Sequence, residues 1–329
     1  IYIMADVLIG LGGTGGKILK AFRQRLWTEY NESQRKKLPI GYIYVDTDSA
    51  MMNPNDVSYE TIHGNCCFEP NDFVDIKLHS DVDAIFGNPK GYTRLLGILG
   101  NVNETQTAVC PVGAAADQKR RAGRILFGAN IDAYLFKLAS VIEDVRKKEV
   151  GGQLDIHIFA GLAGGTGSGS VIDAVAQTRK WLFEHNYNEK QFSITVFCQL
   201  PENEPKPNWD NGRYKANGYG ALLELNNLFV SHYNAEWGNK VSKPCYDVSS
   251  TVDFGRLYLT YDDPTPDNVR EGRIPQELKI AGGLILYSNR NDFGHTVTEP
   301  VALAGLVADF VYTRIFLPHN DQRNEFNRF

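Results

Sequence analysis

Apolar residues in this chain fall into short continuous runs separated by stretches with helical spacing. The runs are short and rich in β-branched and aromatic residues, so they predict buried strands. The predicted strands lie at 4–11, 40–45, 154–159, 192–200 and 280–287. The recurring order of strand, turn and helix predicts a doubly wound α/β domain with a mostly parallel sheet.

Three long helices are predicted between and after these strands. Residues 125–150 have amphipathic spacing, 214–232 are helical with a Tyr- and Asn-rich start, and 297–317 form an apolar helix. Residues 50–110 are rich in Asn, Asp, Pro and Gly, which predicts an insertion of short helices over the edge of the sheet.

The densest glycine turn follows the strand at 154–159. Its glycines permit positive φ and carry no Cβ atom, so successive backbone N–H groups can converge on one anion, and two hydroxyls add donors. The dipole of the following helix favours phosphate at the same place. A methyl group added at position 165 or 167 should therefore fill phosphate space. The candidate phosphate-binding residues are Gly164, Gly165, Thr166, Gly167, Ser168 and Gly169.

Another glycine turn follows the first strand, at 4–11. Its Gly-x-Gly-x-x-Gly spacing also satisfies the Rossmann dinucleotide fingerprint, so an NAD(P) enzyme is the main rival interpretation. The lysine that follows could reach a phosphate oxygen or remain a solvated residue of the first helical turn. The candidates in this turn are Gly10, Gly12, Gly13, Thr14, Gly15 and Lys17.

Two carboxylates, Asp46 and Asp48, follow the strand at 40–45. Open α/β sheets bind ligands at the carboxyl ends of their strands, so both are candidate binding residues. A Rossmann enzyme also places an acidic residue here, to hold a ribose hydroxyl. The pair therefore does not separate the two interpretations.

Composition and charge exclude several classes of function. The chain has 329 residues, of which 22% are charged, and a formal net charge of -5, which argues against nucleic acid or an anionic membrane as the main partner. Its five cysteines and seven histidines show no metal-ligand spacing, so no metal-ligating residue is predicted. No charged-then-apolar leader and no apolar run of about 18 residues is present, which predicts a cytoplasmic protein without membrane insertion.

The hexapeptide Gly-Gly-Thr-Gly-Ser-Gly at 164–169 resembles the signature loop of the tubulin and FtsZ superfamily. Residues 9–16 resemble the FtsZ form of the first loop of that superfamily, although Lys17 stands where FtsZ has asparagine. Residues 45–48 are similar to the Val-Asn-Thr-Asp of FtsZ. The resemblance covers most of 4–317 and implies a divergent bacterial tubulin-like protein that binds GTP or GDP with Mg²⁺ and assembles head to tail into filaments.

The resemblance also implies a third, γ-phosphate-sensing loop at Gly113, Ala114 and Ala115. A basic helix follows this loop. At least one of its arginines should face the site, the alternative being a solvated helix face. These arginines are Arg120, Arg121 and Arg124.

The nucleoside has its own implied partners. Glu202 or Glu204 would accept from the ribose hydroxyls, the alternative being an exposed acidic turn. Asn217 could read the base, since an amide offers both donor and acceptor, although Asn at a helix start is more often a cap. Asp309 stands where FtsZ has a base-contacting aspartate.

The resemblance divides the chain at the last helix. Residues 1–296 would be the GTP-binding domain, and 297–329 the central helix with the start of a missing or truncated second domain. No clear pair of carboxylates for positioning water follows that helix, so no catalytic residue is assigned and GTP hydrolysis should be slow in this chain alone, at a site shared between subunits. The alternatives are a nucleotide-dependent scaffold or sensor that hardly hydrolyses GTP, and the NAD(P) enzyme, which needs only one glycine turn.

Overall fold

The computed structural model describes residues 4–77, 82–92, 95–109, 116, 118–149, 152–188, 190–236, 282–290 and 296–316. A six-stranded sheet forms its centre, and every neighbouring pair of strands in it is parallel. Its strands are β1 (Ala5–Leu11), β2 (Ile40–Asp46), β5 (Phe73–Asp75), β6 (Leu154–Gly161), β7 (Phe192–Gln199) and β8 (Gly282–Tyr287). A separate hairpin joins β3 (Glu60–Thr61) to β4 (Gly64–Asn65). The predicted doubly wound α/β fold is confirmed.

Helices cover both faces of this sheet. The helices are α1 (Gly12–Glu29), α2 (Glu32–Arg35), α3 (Val82–Gly87), α4 (Leu96–Leu99), α5 (Val102–Val109), α6 (Arg120–Ala129), α7 (Ile131–Lys148), α8 (Thr166–Glu184), α9 (Tyr214–Glu236) and α10 (Pro300–Phe316). Alternate strand residues face opposite layers: Val7 and Ile9 pack with α6, α7 and α8, whereas Leu8 packs with α1 and α10. Burial of both faces explains why the strand sequences are continuous apolar runs.

The sheet order is β5-β2-β1-β6-β7-β8. The chain therefore builds outward from β1 in one direction and from β6 in the other, which makes the boundary between β1 and β6 a topological switch point. Ligands of open α/β sheets bind in the crevice beyond the carboxyl ends of the strands at such a point. When the six strands of this sheet are numbered by their order in the chain, leaving out the hairpin strands β3 and β4, their order in the sheet is that of the Rossmann fold. Topology alone therefore does not exclude a dinucleotide.

Residues 50–110, predicted as an insertion, contain more than the short helices that were predicted. Besides α3, α4 and α5 it supplies β5, which extends the sheet by pairing Phe73 with Tyr44 of β2. Short 3₁₀ turns at 50–52, 57–59 and 70–72 carry the chain past the ends of β2 and α1. A strand of three residues has too few positions for a period-two pattern to show in the sequence.

The single helix predicted at 125–150 is wrong, because the chain breaks at Asn130 into α6 and α7. The side-chain amide of Asn130 donates to the carbonyl of Ile76 at 2.7 Å and to that of Leu126 at 2.8 Å.

No single helix in the described ranges is long and apolar enough to cross a membrane. Together α6 and α7 meet that test of length and composition, but they are bent by 67°.

The last predicted helix is confirmed as α10, which packs along α1. The rings of Phe22 and Tyr312 lie 5.9 Å apart between these helices.

Candidate functional site

Two glycine turns lie against each other at the carboxyl ends of β1 and β6. The first begins at Gly12, whose φ of +68° favours glycine over residues with a side chain. A Cβ atom on Gly12 would lie only 2.9 Å from the backbone nitrogen of Gly167 in the second turn. A Cβ atom on Gly167 would lie 3.0 Å from the carbonyl oxygen of Leu11. The two turns therefore form one continuous surface.

Helices α1 and α8 begin at these turns without side-chain caps. Their N-cap residues, Leu11 and Gly165, make no side-chain hydrogen bond to the helix, and neither first turn contains an acidic residue. The first N–H groups of a helix have no internal partners, and the helix dipole places partial positive charge there. Two such helix ends side by side favour an anion between them.

The accessible part of this surface is small. Gly13 is exposed and Gly164 is partly exposed, whereas the residues from Gly165 to Ser170 are buried. A Cβ atom on Gly164 would meet nothing within 4 Å, and one on Gly13 would meet only the Lys17 amine, at 3.7 Å. A ligand can therefore approach the backbone at these two glycines, one in each turn.

Lys17 stands beside the first turn at the mouth of a cleft of about 410 Å³. Burial lowers the pKa of Lys17, and the negative charge of Asp46 opposes this shift. The cleft follows α1 from Gly13 to Gln24, and Met51 and Val301 form apolar parts of its wall. It therefore offers the Lys17 and Lys20 amines together with apolar surface.

Asp46 ends β2 in a buried group of hydroxyls. It accepts from the Tyr44 hydroxyl at 2.7 Å and from the Thr47 backbone N–H at 2.7 Å. Burial raises the pKa of Asp46, while these bonds and one from Thr166 oppose the rise. The Thr47 hydroxyl lies 3.3 Å from that of Thr166 and accepts from the Ala116 backbone N–H at 3.2 Å. The group thus ties the end of β2 to the second glycine turn.

Asp48 is placed differently. It is exposed, it lines the cleft, and one of its carboxylate oxygens accepts from the Ala50 backbone N–H at 2.8 Å. Of the two predicted carboxylates, only Asp48 is both accessible and outside the buried group around Asp46.

The structure corrects the expectation that a methyl group at position 165 or 167 would fill phosphate space. The space beside Gly165 and Gly167 is filled by protein, since a Cβ atom on Gly165 would lie 2.9 Å from the Cβ atom of Ala116. Gly169 is equally enclosed, with the backbone nitrogen of Arg124 at 2.8 Å. The Ser168 hydroxyl, predicted as a phosphate donor, donates instead to the carbonyl of Gly164. These glycines allow close packing of α8. Phosphate binding by the backbone of this turn stays a prediction.

A family model described as tubulin-like matches residues 7–327. This chain belongs to the tubulin-like family. No match was found among curated protein sequences. The family assignment confirms the predicted resemblance to tubulin-like proteins.

Solved structures similar to this tubulin-like chain include two CetZ proteins. One is CetZ from Methanosaeta thermophila strain DSM 6194, with a TM-score of 0.49 and 14% identity over 99% of this chain. The other is CetZ2 from Haloferax volcanii in a GTPγS-bound protofilament, with a TM-score of 0.45 and 15% identity over 98%. This chain spans 59% and 62% of their lengths, respectively.

The ribose candidates of this tubulin-like chain both follow β7, but they differ in burial. Glu202 is 7% exposed, and burial raises its pKa while Lys206 opposes the rise. Glu204 is exposed. Neither lines the cleft beside α1. The ribose contact stays a prediction.

The base candidate Asn217 uses both of its amide hydrogens within the protein. Its nitrogen donates to the carbonyl of Gln118 at 2.8 Å and to that of Ala163 at 2.9 Å. It therefore links the start of α9 to the second glycine turn. Only its carbonyl oxygen could read a base without breaking these bonds.

Asp309 is not brought to the glycine turns. It pairs on the surface with Arg25 of α1. Arg25 lies 12 residues beyond Gly13 in α1, which is about 18 Å along the helix axis. In this structure Asp309 joins α10 to α1, and its contact with the base stays a prediction.

The arginines of α6 bind neighbouring helices. Arg120 donates to the carbonyl of Ser168 at 3.1 Å and pairs with Glu224, and Arg124 forms a buried ion pair with Asp173 at 3.0 Å. Arg121 is exposed. Arg120 thus contacts the backbone of the second glycine turn and holds it to α9.

Two predictions are not tested by these contacts. The third loop, at Gly113, Ala114 and Ala115, lies outside the described residues. Mg²⁺ was predicted as a companion of the nucleotide. Within the described part of the chain, no group of three or more His, Cys, Asp or Glu residues forms a metal site.

Sequence reasoning missed two residues that shape the site. Thr47 joins three segments, but only the carboxylates on either side of it were predicted as binding residues. Gly161 ends β6, and a Cβ atom there would collide with the Thr14 hydroxyl. A glycine that precedes the Gly-Gly-Thr-Gly-Ser-Gly run at a strand end was the available signal for close approach.

Proposed function

We propose that this chain is the guanine-nucleotide-binding part of a tubulin-like protein, which assembles head to tail and hydrolyses GTP at a site completed by the next subunit. The observation that carries the proposal is the pair of uncapped helix amino termini, α1 and α8, meeting at the topological switch point. A triphosphate carries several negative charges close together and can use both helix ends at once.

The two glycine turns distinguish this proposal from a dinucleotide enzyme. A Rossmann site uses one glycine turn for its pyrophosphate. Here a second helix begins at a second glycine turn, and the two turns are in contact through Gly12 and Gly167. This arrangement and membership of the tubulin-like family both favour a compact polyphosphate.

Each part of the nucleotide has a place in this proposal. The phosphates would accept from the backbone N–H groups near Gly13 and Gly164, and the Lys17 amine would balance part of their charge. The nucleoside would lie in the cleft along α1, between Met51 and Val301. Of the predicted binding residues, Thr166 and Ser168 would hold the turns in shape. Asp46 lines the cleft and would also hold the end of β2 through its bonds to Tyr44 and Thr47.

An Mg²⁺ ion would neutralise phosphate charge when it accompanies the nucleotide. Such an ion usually takes most of its ligands from phosphates and water, with one or two carboxylates. Asp48 is the accessible carboxylate of the cleft and fits this role. Asp46 fits it less well because its oxygens already accept from Tyr44 and Thr47.

Identification of the bound nucleotide tests the binding part of the proposal. Purified protein should be denatured and the released small molecules separated by ion-exchange chromatography. We expect GDP or GTP, or saturable binding of GTP by calorimetry if the protein purifies empty. Recovery of NAD(P), or no binding of any guanine nucleotide, would overturn the proposal.

The hydrolysis part has a separate test. Positioning the attacking water is a large part of phosphoryl-transfer catalysis, and its loss can slow the reaction by about 10³-fold or more. A subunit that lacks its neighbour's water-positioning groups should therefore be slow, and turnover per chain should rise with protein concentration. Turnover that stays brisk and constant at nanomolar concentration, where sedimentation shows monomer, would contradict the shared site. Binding without turnover at any concentration would favour the scaffold or sensor alternative.

A further inference from the structure

A second pocket, of about 370 Å³, lies at the amino-terminal edge of the sheet, opposite the glycine turns. It is enclosed by the carboxyl-terminal half of α1, by α2, by the start of β2 and by the end of α7. Trp27 and Tyr42 supply its aromatic surface, and Arg35 and Lys148 supply positive charge. All of the residues that line it are described, and none belongs to the candidate nucleotide site.

The first observation is a crowding of cations on one aromatic ring. The guanidinium carbon of Arg23 lies 4.4 Å from the centre of the Trp27 ring, and that of Arg35 lies 4.3 Å from it. The pKa of Arg35 is lowered mainly by burial, and the charge of Arg23 adds to the effect. Two like charges that share one ring are favourable only with compensation from rings or anions.

The acidic residues at the pocket compensate this charge incompletely. Asp72 pairs with Arg23 at 3.1 Å, and Glu32 pairs with Lys36 at 2.6 Å. Glu69 also lines the pocket and is exposed. No ion pair within the described ranges joins a carboxylate to Arg35 or to Lys148. Arg35 and Lys148 thus line the pocket without an ion-pair partner among the described residues.

The second observation is a set of unused hydrogen-bond donors. Arg35 donates hydrogen bonds to the carbonyls of Tyr30 and His63, and the other N–H groups of its five-donor guanidinium remain for a ligand. Lys148 gives one of its three N–H groups to the carbonyl of Leu38 at 3.1 Å. The hydroxyl of Tyr42 is buried and makes no hydrogen bond among the described residues. Burial also raises the pKa of Tyr42, so its hydroxyl stays a donor.

We propose that this pocket binds a small oxyanion, a phosphate or a carboxylate group, through Arg35 and Lys148, with Tyr42 in the same pocket wall. A guanidinium fork and an ammonium group match the oxygens of either anion. The site is separate from the nucleotide site, since Trp27 lies 14 residues beyond Gly13 in α1, about 21 Å along the helix axis. The proposal stands whether or not the glycine turns bind GTP.

The indole N–H signal of Trp27 in a nitrogen–proton correlation spectrum provides the test, and its assignment follows from a Trp27→Phe variant. Full-length protein should be titrated with inorganic phosphate, and separately with citrate, at constant ionic strength. We expect a saturable shift of this signal. Response to phosphate alone identifies a phosphate ligand, and response to citrate alone identifies a carboxylate ligand.

Matched variants decide whether the shift belongs to this pocket. In Arg35→Gln/Lys148→Met the half-saturating concentration should rise by about tenfold or more, because two charge-assisted donors are lost. Lys147→Met removes the neighbouring charge, which is exposed and paired with Glu143, and should leave the titration unchanged. If the double variant fails to fold, Tyr42→Phe, which removes one buried hydroxyl, should weaken binding alone. No saturable shift with either anion, or an unchanged titration in the folded double variant, would overturn the proposal.

Discussion

The two glycine turns resemble each other in sequence but use their glycines differently. In the first turn Gly12 adopts a positive φ and Gly13 is open to the Lys17 amine. In the second turn no glycine has a positive φ, and Gly165, Gly167 and Gly169 are each packed against backbone or a methyl group. A glycine-rich run at a helix start can therefore serve the packing of protein on protein more than the access of a ligand.

The difference has a structural cause in the neighbouring elements. The start of α8 is enclosed by α6, whose Gly123 would place a Cβ atom against the carbonyl of Gly165. The start of α1 has the open cleft beside it. Variants in the two turns should consequently separate loss of folding from loss of binding.

The largest expected effect is on stability, from Gly169→Ala. The new methyl group would lie 2.8 Å from the Arg124 backbone nitrogen and still closer to the Arg120 carbonyl, so α6 would have to move. We expect a loss of about 1–3 kcal/mol in the free energy of unfolding, measured with urea. Gly164→Ala is the matched control, since nothing lies within 4 Å of its methyl position. Equal stability of the two variants would refute the packing role.

The next effect is on binding, from Lys17→Met. Loss of one charge-assisted hydrogen bond to phosphate should weaken GTP binding about 10- to 100-fold in calorimetry. Stability should change little, because the buried amine carries a desolvation cost of its own. Lys37→Met, at an exposed position, should bind GTP normally. Unchanged affinity in Lys17→Met would mean that this lysine is only a solvated residue of the first turn.

Much of this comparison could be predicted from the sequence. The remaining part depends on tertiary contacts. The strands β1, β2, β6 and β7 were predictable because both sheet faces are buried and their sequences are apolar throughout. The turns were predictable because glycine density at a strand end is a local signal. The break at Asn130 was not, since it depends on a hydrogen bond to Ile76, 54 residues away in sequence.

The site residues divide in the same way. Lys17 and Gly13 could be placed at the site from sequence because they belong to the turn itself. Asn217 and Asp309 were chosen by resemblance, and their amide and carboxylate bind Ala163 and Arg25, respectively. Which partner a polar side chain selects depends on the packing of helices, which no local pattern contains.

A smaller loss of stability is expected from Thr47→Val, at the contact between the end of β2 and the second turn. The variant removes the acceptor of the Ala116 N–H and the contact with Thr166. We expect a loss of about 1–2 kcal/mol in urea unfolding, because a buried N–H is left without its partner. Thr107→Val, on the exposed side of α5, should lose less than about 0.5 kcal/mol. Equal losses in the two variants would count against the buried group as a link between β2 and the turn.

The smallest effect is a pH dependence of binding at the first turn. Burial lowers the pKa of Lys17 in the free protein, and a bound polyphosphate should raise it again. Above the pKa of the free protein, binding then takes up a proton, so GTP affinity should fall with rising pH, by at most about tenfold per unit. Calorimetry in buffers of different ionisation enthalpy measures this uptake. Its persistence in Lys17→Met would assign the proton to another group.

A calorimetric titration of nucleotide-free protein with GTP, and in parallel with NAD⁺, tests the central claim most directly. If the ends of α1 and α8 form a polyphosphate site, GTP should bind at one site per chain and NAD⁺ should give no saturable heat. Gly164→Ala, which keeps the fold but narrows the accessible part of the second turn, should bind GTP more weakly. Saturable binding of NAD⁺ in place of GTP, or no heat with either ligand, would contradict the account.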